Sequence, residues 1–232
     1  MTDAEILHVY LVPIGGDRHE LYCETPVDEA VLTGGVGTRP SGWIRRQLDR
    51  FRALLAEADE WQRRRDRGHA EPTRGPWAFV MRKIAEAVAE QRLLWHIRRE
   101  TAARLVHPDD LSPAAATDRA RQLMLVDRDK HRRWCVIDGL LTIATTPIAL
   151  LPGPNFFAYY FIFRTVGHFL SMRGAQQGLS RVTWTPVASV HLTEIRAALP
   201  LAKDSRARRI DEIARALGLD ELGLFVDNVA DR

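Results

Sequence analysis

The sequence predicts a mainly helical α+β fold with a small antiparallel sheet from an N-terminal β-hairpin and an apolar helical hairpin over 134–174. Three observations predict it. Two β-rich runs flank Gly15-Gly16-Asp17-Arg18; apolar residues recur at helical spacing through the middle of the chain; and two strongly apolar runs flank Pro152-Gly153-Pro154-Asn155. With 46% apolar and 27% charged residues among 232, the composition is globular and not disordered, and the length allows a sizeable core. The chain reads as one domain over 1–232: a β-hairpin (1–25), amphipathic helices (41–133), the apolar hairpin (134–174), then a strand and C-terminal helices (180–232).

Glu5 to Ile14, rich in β-branched and aromatic residues, forms the first strand, and His19 to Glu24 the second. His8, His19 and Cys23 fall on this hairpin, but no second ligand pair supports a metal site, and none is expected. Residues 25–42 are a Gly/Pro-rich connector without a phosphate-loop motif. Ser41 caps a helix running to about Arg67, whose stripe is Ile44, Leu48, Phe51, Leu55 and Ala58. A second helix runs from Pro76 to about Val106, with Val80, Ile84, Val88 and Trp95 buried, and His107 to Asp110 ends it. Ser112-Pro113 opens a third helix, which leads through the charged run Asp127 to Arg133 into the apolar hairpin. Val182 to Val190 supplies a further strand, placed at an edge by Pro186. Glu194 to Leu199 forms a helical turn. Asp204 starts a helix that Gly218 ends, and a short helix follows from Asp220.

Charge and cysteine usage narrow the setting. Residues 1–38 carry a net −6, so the rest of the chain carries +9, a balance compatible with an anionic membrane surface. Arg abundance without a recognisable module argues against nucleic-acid binding. Only three basic residues are Lys, and with many Ala this composition points to a GC-rich, bacterial source. Cys23 and Cys135 give neither a disulfide framework nor metal-ligand spacing. The N-terminal MTDAEILHVYLVP has no signal- or transit-peptide pattern, so any route to a membrane is expected to run through the chain's interior.

The hairpin carries the candidate chemistry. Its arms, Trp134–Leu151 and Phe156–Leu170, would be roughly 27 and 22 Å long against a bilayer core of ~30 Å, slightly short for plain spanning. Pro152, Gly153 and Pro154 break the helix between them, and Asn155 caps the second arm. Asp138, Thr142 and Thr145 share one face of the first arm; Tyr160, Arg164, His168 and Ser171 share a face of the second. Folding about the tip brings Asp138 level with His168, and Thr142 near Arg164. Ionisable residues within apolar helices occur in pairs or along wet cavities and often mark proton pathways. Asp138 and His168 are therefore the candidate proton-sensitive pair, with Arg164 as a neighbouring fixed charge and Tyr160 and Thr142 alongside. A structural salt bridge is the competing reading. Lys130, Arg132, Arg133 and Arg173 place both hairpin ends on the cytoplasmic or matrix side.

The stretch LLPGPNFFAYYFIFRTVGHFLSMRG resembles the mitochondrial K+–H+ exchange-related proteins, which include bacterial members. Pro152, Pro154, Asn155, Tyr160, Arg164, His168 and Gly174 carry the likeness, with Lys130 to Trp134 and the N-terminal YLVPIGGDRHELYCE in support. The resemblance implies a membrane-associated protein of ion transport and cation homeostasis, acting as a component or regulator of potassium–proton exchange. It supplies no catalytic set. The expectation is a non-enzymatic chain without cofactor, placed at the cytoplasmic face of a bacterial inner membrane. Its expected partners are lipid or a membrane protein, or a second copy of itself. The alternative is a soluble α+β interaction module with the hairpin as its core.

Overall fold

The computed structural model describes residues 6–24, 91–145 and 156–230. The helices expected over 41–67 and 76–90, the 25–42 connector, residues 146–151 and the turn Pro152–Asn155 lie outside these. The chain divides into two compact units, one of Met1–Pro26, Glu100–Val126 and Ala175–Arg232, the other of Val27–Arg99 and Asp127–Gly174.

The first unit is built on a four-stranded sheet. β1 (Leu7–Gly15) pairs antiparallel with β2 (Arg18–Tyr22), with Tyr10 opposite Tyr22 and Pro13 opposite His19. Gly15 (φ 119°) and Gly16 (φ 55°) make the reversal in the left-handed region, where side chains are strained. β3 (Ala102–Pro108) lies parallel to β1 on its other side, and β4 (Thr183–Ser189) lies parallel to β3, giving the order β2-β1-β3-β4.

The α+β class and the N-terminal strand pair are as expected, but the sheet is mixed and not antiparallel throughout. One expectation is corrected outright: residues 102–106 form β3 and do not continue the preceding helix, whose described part covers 91–97. Ala103 and Leu105 are fully buried between two parallel neighbours, and such strands read as short apolar runs that periodicity cannot tell from helix. The edge position of β4, with its Pro186, is as expected.

Residues on both faces of β1 are buried, Val9 and Leu11 on one and Tyr10 and Val12 on the other. α1 (Pro113–Thr145) starts as the Ser-Pro signal requires: Ala115 N donates to Ser112 Oγ at 3.2 Å, with Pro113 in the first turn. It runs unbroken for 33 residues, so the expected third helix and first hairpin arm are one element. α2 (Phe156–Ser180) likewise continues past Gly174. After β4 come α3 (Val190–Ala198), α4 (Lys203–Leu217) and α5 (Leu222–Ala230). α4 ends at Gly218 (φ 69°), where Leu219 N reaches back to Ala214 O at 2.9 Å in a left-handed cap. Glu24 caps the start of α5, accepting from Asp220 N and Glu221 N. Leu192, Ile195, Ile210, Ile213, Leu222 and Val226 pack on Tyr10, Val12 and Val106, forming the main core.

The second unit holds residues 91–97, α1 from Asp127 and α2 up to Gly174. α2 crosses the 91–97 segment closely. Gly167, Ser171 and Gly174, spaced by four and three, put small residues against that segment. Trp95, fully buried, donates to Ser171 Oγ (3.0 Å) and Gly167 O (3.3 Å), and Ser171 Oγ donates to Gln91 Oε1 (2.8 Å).

Candidate functional site

Several polar residues of α1 and α2 in the second unit form one connected cluster around Asp138. Asp138 is 1% exposed. Its Oδ2 accepts from Arg164 Nε at 3.0 Å and lies 3.3 Å from His168 Nε2, so one oxygen faces both side chains and the arginine holds it more closely. Arg164 Nη1 donates to Tyr160 Oη at 3.2 Å, and its guanidinium lies over the rings of Trp134 (5.3 Å) and Tyr160 (5.6 Å). Burial works against its charge, but the hydrogen bonds to Tyr160 and Asp138 and the Asp138 carboxylate outweigh it and hold Arg164 above its ordinary range.

His168 continues the cluster. Its Nδ1 lies 2.8 Å from His131 Nδ1, one ring must donate and the other accept, and both rings are buried. The two rings are tilted at 38°, and Trp134 stacks on His168 with centroids 6.4 Å apart. Cys135, one turn before Asp138, donates weakly to Thr165 O at 3.8 Å. Burial and then the Asp138 charge push its thiol up, so it stays protonated.

Thr142 bonds back to Asp138 O (2.8 Å) and meets Thr165 Oγ1 at 3.2 Å, so its neighbour on α2 is Thr165, one residue past Arg164. Thr145 bonds to its own helix at Leu141 O, 2.8 Å away. Asp138, Arg164, His168 and Tyr160 are thus brought together. Ser171 turns to Gln91 and Trp95 instead, and Pro152, Gly153, Pro154 and Asn155 fall outside the described residues.

Sequence reasoning left His131, Trp134 and Gln91 out of the site, although Lys130 to Trp134 supported the family resemblance. His131 stands seven residues before Asp138, two helical turns along the same face, so extending the polar stripe of α1 backwards would have found it. The surrounding run of charged residues hid it.

The outer face of α1 inverts the usual pattern. Val136, Ile137, Leu140, Leu141 and Ile143 are exposed, Ile143 to 71%, while Asp138 is enclosed. Lys130, Arg132 and Arg133 precede this face and are exposed. Among the described residues no helix is long and apolar enough to cross a membrane, and no group of three metal-ligating side chains converges.

The family described as "Mitochondrial K+-H+ exchange-related" matches residues 8–182, a stretch that takes in the whole cluster. No curated protein and no solved structure matches the chain.

Proposed function

We propose, starting from the fact that this chain belongs to the mitochondrial K+–H+ exchange-related family, that it acts at a membrane surface as a non-enzymatic component or regulator of potassium–proton exchange. The observation that carries the membrane part is the inverted face of α1, with apolar side chains outward, Asp138 inward and a basic collar at Lys130, Arg132 and Arg133. In water an exposed apolar face of this extent is unfavourable; against lipid it is covered, and the basic collar meets anionic headgroups. The partner proposed is therefore lipid, with a membrane protein or a second copy as further partners. The membrane is the cytoplasmic or matrix-side face, a bacterial inner membrane if the Arg- and Ala-rich composition reflects the source. Asp138, Arg164, His168, Tyr160 and Thr142 form the proposed proton-sensitive set.

Flotation of the full chain with vesicles tests the reading. It floats with vesicles containing phosphatidylglycerol, less with phosphatidylcholine alone, and Ile137→Asp/Leu140→Asp abolishes flotation. A chain that stays at the bottom of every gradient leaves the soluble interaction module standing. The ion-exchange part is tested by potassium-driven proton flux in membranes depleted of the chain, which slows and recovers on re-expression; unchanged flux rejects it.

A further inference from the structure

We infer that the cleft formed by Arg128, Asp129, Arg132 and Arg133 on α1 binds the terminal phosphate of a phosphomonoester lipid, of which phosphatidic acid is the simplest, with the acyl chains lying along Val136, Leu140 and Ile143. The inference rests on the membrane reading just proposed and deepens it by naming the headgroup class and the residues that take it. It stands on a cleft of about 200 Å³ lined by these four side chains, and on its alignment with the exposed apolar row of the same helix.

The cleft holds more positive charge than the protein neutralises. Arg128 turns one edge of its guanidinium to Asp129, Nε and Nη2 donating to Oδ1 at 3.1 and 3.0 Å, which orients it at the cleft wall. Among the described residues the side chains of Arg132 and Arg133 have no ion-pair or hydrogen-bond partner, and both are exposed. Arg128 and Arg132 are like charges four residues apart, an arrangement that destabilises a helix until an anion lies between them. Three guanidiniums against one carboxylate leave an excess of two positive charges. A phosphate monoester carries about two negative charges at neutral pH and offers three free oxygens, one for each arginine. The phosphodiester of phosphatidylglycerol has a single charge and one free oxygen fewer.

The same helix face continues into the apolar row. Val136 and Leu140 follow Arg132 at steps of four and Ile143 at a further three, so all share its face, and all three are exposed. From Arg132 to Ile143 the helix rises roughly 17 Å, against ~15 Å for the hydrocarbon of one leaflet. A lipid whose phosphate sits in the cleft therefore has its acyl chains beside the apolar row along its length. A soluble phosphate ester would fill the cleft and leave that row in water.

Flotation of the full chain with phosphatidylcholine vesicles carrying either phosphatidic acid or phosphatidylglycerol, matched for surface potential, tests the site. Phosphatidic acid vesicles retain about fivefold more chain, the effect of one further neutralised arginine, and Arg132→Gln/Arg133→Gln erases that preference while circular dichroism shows the wild-type helix signal. Equal retention on both lipids means a collar that senses charge alone; it overturns the phosphate site and leaves the membrane reading standing. A preference that survives in the double variant overturns it too. Where the chain floats with no vesicle, calorimetric titration with soluble dihexanoyl phosphatidic acid decides without a bilayer: binding that the double variant loses upholds the site, and no binding overturns it. In the same titration, glycerol 3-phosphate bound as tightly as the short-chain lipid shows that the apolar row contributes nothing, and overturns the lipid assignment. A chain that ignores both lipids and sediments as a dimer, dissociated by Leu140→Asp, has a second copy on this face, which overturns it as well.

Discussion

Replacing Gly174 with alanine sets two effects of opposite sign against each other. By helix propensity alone, alanine inside α2 stabilises by about 0.8–1 kcal/mol. The added Cβ, however, would stand 1.7 Å from the Leu94 carbonyl oxygen and 2.6 Å from its carbonyl carbon. A carbon–oxygen contact relaxes only near ~3.3 Å, so the two segments must part locally by about 1.5 Å. Backbone cannot rotate away as a side chain tip can, and a gap of 0.5–1 Å already forfeits about a quarter to a half of each dispersion contact. Overpacking of this kind costs about 1–3 kcal/mol, and the strained bonds of Ser171 to Gln91 and Trp95 add up to about 1 kcal/mol each. The expected net loss is about 2–4 kcal/mol, read as a lower urea midpoint in circular dichroism and tryptophan fluorescence. Gly139→Ala is the control: its Cβ meets only Thr165 Cγ2, at 3.9 Å, so it gains up to about 1 kcal/mol. If Gly174→Ala proves as stable as the wild type or more so, the close crossing is wrong.

Three further outcomes are expected. In a double-mutant cycle of Asp138→Asn and Arg164→Gln, breaking the pair couples the sites by about 1–3 kcal/mol, less than a fully buried pair because Arg164 is partly exposed; coupling below about 0.5 kcal/mol would refute it. His19 is held below its ordinary range by burial first and by the Arg196 and Arg119 charges, against the Asp17 carbonyl and Asp110, and its Nε2 lies 3.2 Å from Arg196 Nη2. The unfolded chain therefore binds this proton more readily, so stability is intact above about pH 6.5 and falls as pH drops below it; His19→Gln flattens that slope in melting temperature, and an unchanged slope refutes the assignment. Glu24→Ala uncaps α5 and costs about 1–2 kcal/mol, seen as faster hydrogen exchange at the Asp220 and Glu221 amides; unaltered exchange would show the cap to be idle.

Local rules carried part of this structure and non-local pairing the rest. The Gly15-Gly16 reversal, the Ser112-Pro113 start and the Gly218 stop each rest on a few neighbouring residues, and each is where the sequence places it. The strand at Thr183–Ser189 was legible from alternation and Pro186. β3 was not, because a strand buried between two parallel neighbours needs no alternation, and Leu105 and Val106 continue a helical stripe equally well. In the site, period and matched depth put Asp138 beside His168 and Arg164. His131 escaped because a run of exposed charges surrounds it, and burial is a property of the fold and not of the run. Ser171 shared a stripe with His168 yet faces a different neighbour, since one helix face of three to four residues is wide enough to meet two partners.

The sheet order carries a consequence for how the chain reaches this state. Leu7 pairs with Ala103, and Ala102 with Thr183, so each parallel contact joins strands separated by a long intervening stretch of chain. The helices from Pro113 to Ser180 lie within one of these intervals. Loop-closure entropy must be met before either parallel ladder forms, and among the described strand pairs only the β1–β2 hairpin is local. Refolding is thereby ordered: the hairpin and helices assemble from near neighbours, and β3 and β4 dock last as the slow step. Until they do, β1 presents an unpaired edge, which makes the interval before docking the moment at which this chain is most exposed to aggregation.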